Sequence, residues 1–222
     1  MSRRVALLLI GGLLICGRVS AQVTTDGSVG PAGTVPSGLL PDGRTATYRI
    51  DEALGQRRGQ NLFHSFSSFD LLSTESAAFT AEAPTRYVLA RVTSGTASSI
   101  NGALWNTIDG ADLYLLNPAG VVFGPNAQLD LHGSLHVSTA DYLHMSDGTT
   151  FQAIPVQGEV LSVAPPSAFG FTNDDFGLVR FNRAVNLAVP EGGTFSIAAG
   201  DVAISGSPLG NTLRAGGGAI EL

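Results

Sequence analysis

Lysine is absent from this 222-residue chain, and cysteine occurs once, at Cys16. Charged residues make up only 14% of the sequence, and the 18 acidic residues outnumber the 12 arginines, which gives a formal charge of −6. This balance argues against a nucleic-acid partner and against stable insertion into an anionic membrane. The apolar fraction of 44% argues against intrinsic disorder.

Residues 1–21 have the layout of a secretory signal peptide. A basic start is followed by an apolar run that ends at Cys16 and by small residues up to Ala21. The apolar run is shorter than the roughly 20 residues that span a bilayer. We expect cleavage between Ala21 and Gln22. A lipid anchor on Cys16 is the less favoured alternative, because Ile15 stands where a small residue is needed.

Cleavage would remove the cysteine and three arginines. The remaining chain would carry nine arginines against 18 acidic residues, a formal charge of −9. Without a disulfide, an exported protein of this kind depends on its core for stability. A chain of about 200 residues is long enough to form one such core.

Short apolar runs and turn residues alternate along most of the chain. Residues 22–43 are rich in Gly, Pro, Thr and Ser, and we interpret them as a lead-in or N-terminal cap region. Runs such as 45–51 and 86–92 are β-branched or aromatic and predict strands. The best helical candidate is 51–60, and its glycines interrupt it. The predicted fold class is therefore all-β.

Residues 128–137 alternate strictly between apolar or small and polar side chains, which predicts one strand with one buried face. Similar pieces occur at 177–189, 193–205 and 216–222, and turn-bounded units return about every 20 residues. This spacing is typical of stacked β-coils, although a β-sandwich also uses short strands. The last run has no polar cap, so we expect this chain to be the N-terminal part of a longer protein.

Two proline turns stand close together within residues 115–134. Asn117-Pro118-Ala119-Gly120 places Asn first, Pro second and Gly fourth, which are the preferences of a type I turn. The second turn, Gly124-Pro125-Asn126-Ala127, again has proline in the second place. Only the short run 121–123 separates them. The pattern predicts the corners of a β-solenoid rather than a long hairpin.

The histidines are the first candidates for chemistry. His132 and His136 would lie about 13 Å apart on one strand, at ~3.3 Å per residue, too far to share one zinc ion. We therefore interpret both as solvent-facing strand residues. His144 has no partner at ligand spacing, and His64 lies among aromatic residues, where a structural role is favoured.

The acidic pairs Asp109/Asp112 and Asp174/Asp175 are the second candidates. Turn chemistry explains Asp beside Gly at least as well as a calcium site or general acid–base catalysis does. The sequence has no GxSxG elbow and no phosphate-binding loop, and Gly216–Gly218 precede a predicted strand rather than a helix. We expect no catalytic residue, no metal site and no cofactor.

Four segments carry a resemblance to a known family: 61–69, 91–104, 110–143 and 165–171. They resemble the N-terminal secretion domain of filamentous-haemagglutinin-type bacterial exoproteins, also called the two-partner secretion (TPS) or haemagglutination activity domain. The similarity covers residues 40–222, and the 110–143 block is its most specific part. The signature positions outside the first proline turn are Asn61, Leu62, Phe63, His64, Phe66, Gly124, Pro125 and Asn126.

The resemblance implies a right-handed, single-stranded parallel β-helix with an N-terminal cap and extra-helical strands, here over residues 44–222. It implies a non-enzymatic monomer without cofactor, exported across the inner membrane of a Gram-negative-type bacterium. The implied partner is an outer-membrane β-barrel transporter with POTRA domains, which recognises the largely unfolded chain. The domain then nucleates folding of an adhesin that is secreted or held at the cell surface. Contact with host or bacterial surface glycans would fall to the longer protein.

The family's hallmark turn, Asn-Pro-Asn-Gly-Ile, reads Asn117-Pro118-Ala119-Gly120-Val121 here. We predict this turn to be the secretion motif. Ala119 keeps the backbone turn but removes a side-chain amide, so the turn's folding role is separated from any contact made by that amide. A second family motif, Asn-Pro-Asn-Leu, is absent.

Two alternative functions stay open at this point. A β-helix can also carry a polysaccharide lyase or hydrolase, for which Arg180 and Arg183 near Asp174 and Asp175 form the candidate cluster. The domain itself could also bind glycans or cells directly, since solenoids present long surfaces.

Overall fold

The computed structural model describes residues 22–172, 176–182, 186–205 and 212–221. In these ranges the chain forms short strands and one 3₁₀ helix, η1 (Glu52–Leu54), so the predicted all-β class is confirmed. Asp51 caps η1, Gly55 follows it, and the chain continues as a strand, so the candidate helix of residues 51–60 is reduced to a single turn. No helix in the described ranges is long and apolar enough to cross a membrane.

The strands stack in parallel on three faces of a coil. The first face consists of β7 (Asn61–Phe69), β9 (Tyr87–Val92), β12 (Asp112–Leu116), β15 (Leu135–Ser138), β21 (Phe195–Ala198) and β24 (Ile220–Glu221). The second face consists of β10 (Ser98–Ile100), β13 (Gly120–Phe123), β19 (Leu178–Phe181) and β22 (Asp201–Ile204). The third face consists of β5 (Tyr48–Ile50), β8 (Ser76–Phe79), β11 (Ala103–Asn106) and β14 (Gln128–Leu131), and the parallel pair β20 (Asn186–Val189) and β23 (Thr212–Ala215) lies beyond β14.

The chain visits these faces in rotation. From β8 to β15 each strand lies on the next face. From β11 onward in this run, each strand pairs in parallel with the strand three positions earlier in the chain. Ser76 aligns with Ala103, and Ala103 aligns with Gln128, so one coil takes about 25 residues. This is the predicted parallel β-helix.

The core fills the inside of the coil. Inward side chains at equivalent positions lie above one another, such as Leu113, Leu135 and Phe195 on the first face. On the second face the rings of Phe123 and Phe181 stack, with a centroid distance of 5.1 Å and planes 5° apart. Each coil therefore buries its apolar face against its neighbours, as a solenoid requires.

Antiparallel strands cover the N-terminal end. β1 (Val23–Thr25) pairs with the far half of β7, and β2 (Gly33–Thr34) pairs with β1. A small hairpin, β3 (Gly38–Leu39) and β4 (Thr45–Ala46), lies outside the third face, where Leu40 and Ala46 pack on Ala78. β6 (Gln56–Arg58) pairs with the near half of β7. β1 and β6 together occupy the edge of β7 opposite β9, which would otherwise be open to pairing with another chain.

A second group of strands lies outside the coil, between β15 and β19. β16 (Tyr142–Met145) pairs in antiparallel fashion with β17 (Thr150–Gln152) and with β18 (Pro166–Gly170). Apolar side chains of these strands form a second cluster on the outer face of β7, β9 and β12. The cluster contains Phe63, Leu89, Leu116, Leu143, Met145, Phe151 and Ala153. The predicted cap and extra-helical strands are thus both present.

The prediction of one strand over residues 128–137 is wrong. Residues 132–134 form a corner, so β14 lies on the third face and β15 on the first. Leu131, Leu135 and Val137 are nevertheless all buried on the two sides of the corner. A Cβ at Gly133 would overlap the Ala111 carbonyl oxygen, so the backbone there packs directly on the previous coil. An alternating pattern in a solenoid therefore does not mark a single straight strand.

Candidate functional site

The first proline turn is a corner between β12 and β13, and Asn117 is its centre. The Asn117 side chain is 0% exposed. Its Nδ2 donates to the Thr96 carbonyl oxygen and to Ser98 Oγ, both at 3.0 Å, in the preceding coil. Its Oδ1 accepts from the Ala119 amide at 3.0 Å, and the Gly120 amide donates to the Asn117 carbonyl at 2.9 Å. One side chain thus joins its own turn to the coil before it.

The following coil packs on the same corner. The Gly177 amide donates to the Pro118 carbonyl oxygen at 2.9 Å, and a Cβ at Gly177 would overlap that oxygen. Gly120 has φ = +119°, and a Cβ there would lie 2.8 Å from the Leu178 carbonyl oxygen, so glycine is required on two grounds. Val121 is buried in the core. The predicted motif therefore lies between two coils and contacts both.

Ala119 contributes its backbone amide to this corner. The hydrogen bond that it makes to Asn117 does not involve its methyl group. The substitution of the family's usual asparagine is therefore compatible with the turn. Pro118 and Ala119 are half-buried, and Asn117, Gly120 and Val121 are buried.

The second proline turn is also a corner that hydrogen bonds tie to the preceding coil. The Ala127 amide donates to the Gly124 carbonyl at 3.0 Å and closes the turn. Asn101, from the preceding coil, accepts from the Asn126 amide at 3.0 Å and from Asn126 Nδ2 at 3.2 Å. A Cβ at Gly124 would overlap Asn101 Oδ1. Pro125 and Asn126 are exposed, so this corner presents its proline to solvent.

The outward signature residues of β7 hold the extra-helical strands. Asn61 Nδ2 donates to the carbonyl oxygens of Ser162 and Ala164 at 2.9 and 2.7 Å. Phe63 meets Phe151 edge to face, with ring centroids 5.0 Å apart. These two side chains therefore join β7 to the extra-helical strands.

The inward signature residues, Leu62, His64 and Phe66, are fully buried in the first coils. The His64 ring lies 5.5 Å from Phe79 and 6.1 Å from Phe66, measured between centroids. Neither ring nitrogen makes a hydrogen bond of good geometry with a described residue. Burial lowers the pKa of His64 to about 4, and the Leu54 backbone offsets only part of this effect. His64 is therefore neutral and structural, as the sequence indicated.

A buried ion pair, which the sequence did not reveal, is a second link between the coil and the extra-helical segment. Arg91 on β9 is 0% exposed, and its Nη1 lies 2.9 and 2.7 Å from the two carboxylate oxygens of Glu159. The same nitrogen donates to the Gln152 carbonyl at 2.7 Å, and the guanidinium carbon lies 4.6 Å from the Phe151 ring centroid. The only signal in the sequence was an arginine inside an apolar strand.

The N-terminal cap joins this network. Arg91 Nε donates to Ser65 Oγ at 2.8 Å, and Ser65 Oγ donates to Asp26 at 2.7 Å. Burial acts to raise the pKa of Asp26, but hydrogen bonds from Ser28, Ser65 and Thr93 outweigh it and hold that pKa below its usual value. Cap, coil and extra-helical strands thus meet at one buried arginine.

The two histidines do not share a strand, so the interpretation of both as solvent-facing strand residues is partly wrong. His132 is exposed in the corner after β14, with Nδ1 2.7 Å from Asp109 Oδ1. His136 is half-buried on β15 and stacks on Tyr114 at 4.2 Å between centroids. Burial lowers the pKa of His136, while Asp112 acts in the opposite direction.

The remaining candidates that the structure describes make separate local contacts. Asp112 accepts from the Ser134 amide at 2.8 Å, as a corner residue does. His144 meets Tyr142 edge to face. Arg180 is exposed on β19, whereas Asp174, Asp175 and Arg183 lie outside the described residues. Among the residues that the structure describes, no three His, Cys, Asp or Glu side chains are grouped so that they could hold a metal ion.

A parallel β-helix with an antiparallel N-terminal cap and an extra-helical sheet is the class of protein that these elements define. The sequence model of the TPS secretion domain matches residues 21–222, and the chain belongs to this two-partner secretion family. Proteins of this family are exported and secreted.

Among solved structures, the chain is similar to the HMW1 secretion domain from Haemophilus influenzae. The two share 15% sequence identity with a TM-score of 0.41, over 85% of this chain and 62% of that chain. This chain therefore spans less than two thirds of that structure's length. The comparison with curated protein sequences gave no match.

Proposed function

We propose that this chain is the secretion and folding-nucleation domain of a two-partner-secreted, filamentous-haemagglutinin-like adhesin. Residues 1–21 direct export and are cleaved between Ala21 and Gln22. An outer-membrane β-barrel transporter with POTRA domains then recognises the unfolded chain and passes it to the cell surface. The family match over residues 21–222 carries this proposal. The cysteine-free segment 22–222 supports it, because no oxidised loop can block transport.

The motif Asn117–Val121 acts in this scheme as a corner that joins successive coils as they form. Its support is the geometry of Asn117, whose amide bonds are all spent on Thr96, Ser98 and Ala119 within the fold. A fully buried side chain is out of reach of a partner once the domain has folded. The transporter therefore contacts this motif before folding, and the folded corner keeps the chain from sliding back.

The domain works as a non-enzymatic monomer, and adhesion belongs to the longer protein. Its corner residues make structural hydrogen bonds, and the exposed His132–Asp109 pair belongs to no group of three potential metal ligands in the described ranges. Incubation of the purified protein with a panel of glycans tests the absence of enzymatic activity. Cleavage of any glycan would overturn that part of the proposal.

Binding of the chain to the transporter's periplasmic domains tests the recognition step. Chain held unfolded in urea and then diluted should be cross-linked to these domains, whereas chain folded beforehand should not. Asn117→Ala should weaken both cross-linking and folding, and Asn126→Ala, at the exposed corner, serves as the matched control. Equal cross-linking of folded and unfolded chain would contradict the proposal.

A further inference from the structure

Residues 140–172, called the strap from here on, are inserted between two consecutive coils. β13 and β15 precede the strap, and they pair in parallel with β19 and β21, which follow it. Among the described strands, β16, β17 and β18 of the strap pair only with one another. The backbone pairing of the coil therefore does not depend on the strap.

The backbone hydrogen bonds of the strap also close within the strap. The Asp141 amide donates to the Gly170 carbonyl oxygen at 3.0 Å, and the Ala153 amide donates to the Asp141 carbonyl oxygen at 2.8 Å. Over the described part of the chain, no backbone-to-backbone hydrogen bond joins the strap to a strand of the coil. The strap is thus a small sheet with its own hydrogen-bond network.

The strap is attached to the coil through side chains. The coil contributes Phe63, Leu89 and Leu116 to the shared apolar cluster. The strap contributes Leu143, Met145, Phe151 and Ala153. The three coil residues belong to β7, β9 and β12, which pair side by side in the first face. Because three strands build this docking surface, it exists only after they have paired.

The polar links between strap and coil reach across long stretches of sequence. Asn61 donates to carbonyl oxygens that lie 101 and 103 residues further along the chain. Glu159, which is 9% exposed, pairs with Arg91 from 68 residues away. Opening of the strap would return the Glu159 carboxylate to water, and this hydration offsets much of the attraction lost with the ion pair. The apolar cluster is then the main term that holds the strap closed.

We propose that the strap is a separate cooperative unit, which closes on a coil that has already folded and opens as a whole while the coil stays intact. Local units of this kind open with a smaller free energy than the whole domain. The open form presents Phe63, Leu89 and Leu116 to solvent as an apolar face. This equilibrium belongs to the folded domain and does not rest on the proposed secretion role.

Amide hydrogen exchange of the folded protein, followed by NMR at a pH where the rate reports the opening equilibrium, tests the proposal. The amides of Met145 and Ala153 represent the strap, and those of Leu113 and Leu135 represent the coil. All four donate to backbone carbonyls at 2.8–2.9 Å. After correction for intrinsic rates, we expect the strap amides to exchange at least tenfold faster than the coil amides.

A variant in the coil decides whether the strap opens separately. Ile100 is fully buried on β10 and is not part of the apolar cluster under the strap. Ile100→Val should accelerate exchange of the coil amides about two- to tenfold, and Ile100→Ala should accelerate it further. Both variants should leave the strap amides unchanged, because the closed and open forms lose the same coil contact. Equal acceleration of both sets of amides would overturn the proposal, and so would equal rates for both sets in the unaltered protein.

A variant in the strap tests what holds it closed. Phe151→Leu removes the edge-to-face contact with Phe63 and should accelerate strap and coil amides by the same factor, because it destabilises only the closed form. The matched control is Val160→Ala, since Val160 is 71% exposed on the same segment, and it should leave both sets unchanged. Unchanged strap rates in Phe151→Leu would contradict the docking through the apolar cluster.

Discussion

Arg91 and Glu159, separated by 68 residues of sequence, form an ion pair whose side chains are 0% and 9% exposed. Arg91 belongs to the coil, and Glu159 belongs to the extra-helical segment between β17 and β18. A charge pair removed from water in this way is costly to break, because the remaining charge stays buried without its partner.

We expect Glu159→Gln to destabilise the fold by about 3–5 kcal/mol, because it leaves the Arg91 charge uncompensated. Urea denaturation followed by circular dichroism measures this. The control is Asp130→Asn, whose partner Arg44 is 37% exposed and where the expected loss is below about 1 kcal/mol. Equal losses in the two variants would show that the buried pair has no special role.

The stacking of coils at the first proline corner predicts a steric effect. Gly177→Ala should cost about 1–3 kcal/mol, because its methyl group would overlap the Pro118 carbonyl oxygen. The matched control is Gly216→Ala, since a Cβ at Gly216 meets no atom within 4 Å. The midpoints of thermal unfolding compare the two variants, and an unchanged midpoint for Gly177→Ala would contradict the packing.

Substitutions at two neighbouring corner positions, 117 and 119, should affect the stability of the domain very differently. Asn117→Ala should destabilise the domain by about 1–3 kcal/mol, because Ser98 and the Thr96 carbonyl lose their buried partner. Ala119→Asn, which restores the family's usual residue, should leave stability nearly unchanged, since the turn uses only the Ala119 backbone.

Chemical denaturation measures the stability of both variants. The rate of secretion then shows whether a variant changes the contact with the transporter rather than the folding of the domain. An increase in secretion by Ala119→Asn at unchanged stability would assign a contact role to the missing amide. A loss of stability in Ala119→Asn as large as that in Asn117→Ala would overturn the interpretation of the corner.

His64 predicts a loss of stability in mild acid. Its folded-state pKa of about 4 lies below the value of 6.5 expected when the chain is unfolded, so the unfolded chain binds the proton more readily. Stability should therefore be complete above about pH 6.5 and fall as the pH drops towards 4, by at most about 1.4 kcal/mol per pH unit from this group. Asp26, whose pKa is lowered, contributes stability that is lost only at still lower pH.

The free energy of unfolding at several pH values between 7 and 4 measures the effect of His64. His64→Leu should flatten the pH dependence in this window, and His132→Gln, at an exposed corner, should not. An identical slope in His64→Leu and in the unaltered protein would exclude His64 as its source.

Short-range patterns in the sequence predicted the strands, the coil and the two proline corners, because each depends on residues that are close in the chain. The alternation at 128–137 was misread as one strand because the corner at Gly133 preserves the inside–outside order. A one-dimensional pattern does not record the change of face.

The role of Arg91 could not be predicted in the same way. Its partner Glu159 lies 68 residues away. The pair depends on a contact between elements that are remote in sequence. The roles of Asn61 and Phe63 were hidden for the same reason, since their partners lie in the extra-helical segment.

The central claim is that this domain carries the chain out of the cell through a dedicated transporter. The most direct measurement is the amount of the protein in the culture medium when the chain is expressed with its transporter, without it, and with a transporter that lacks the POTRA domains. We predict secretion only with the intact transporter and periplasmic accumulation of the chain in the other two cases. Equal amounts in the medium under all three conditions would contradict the account.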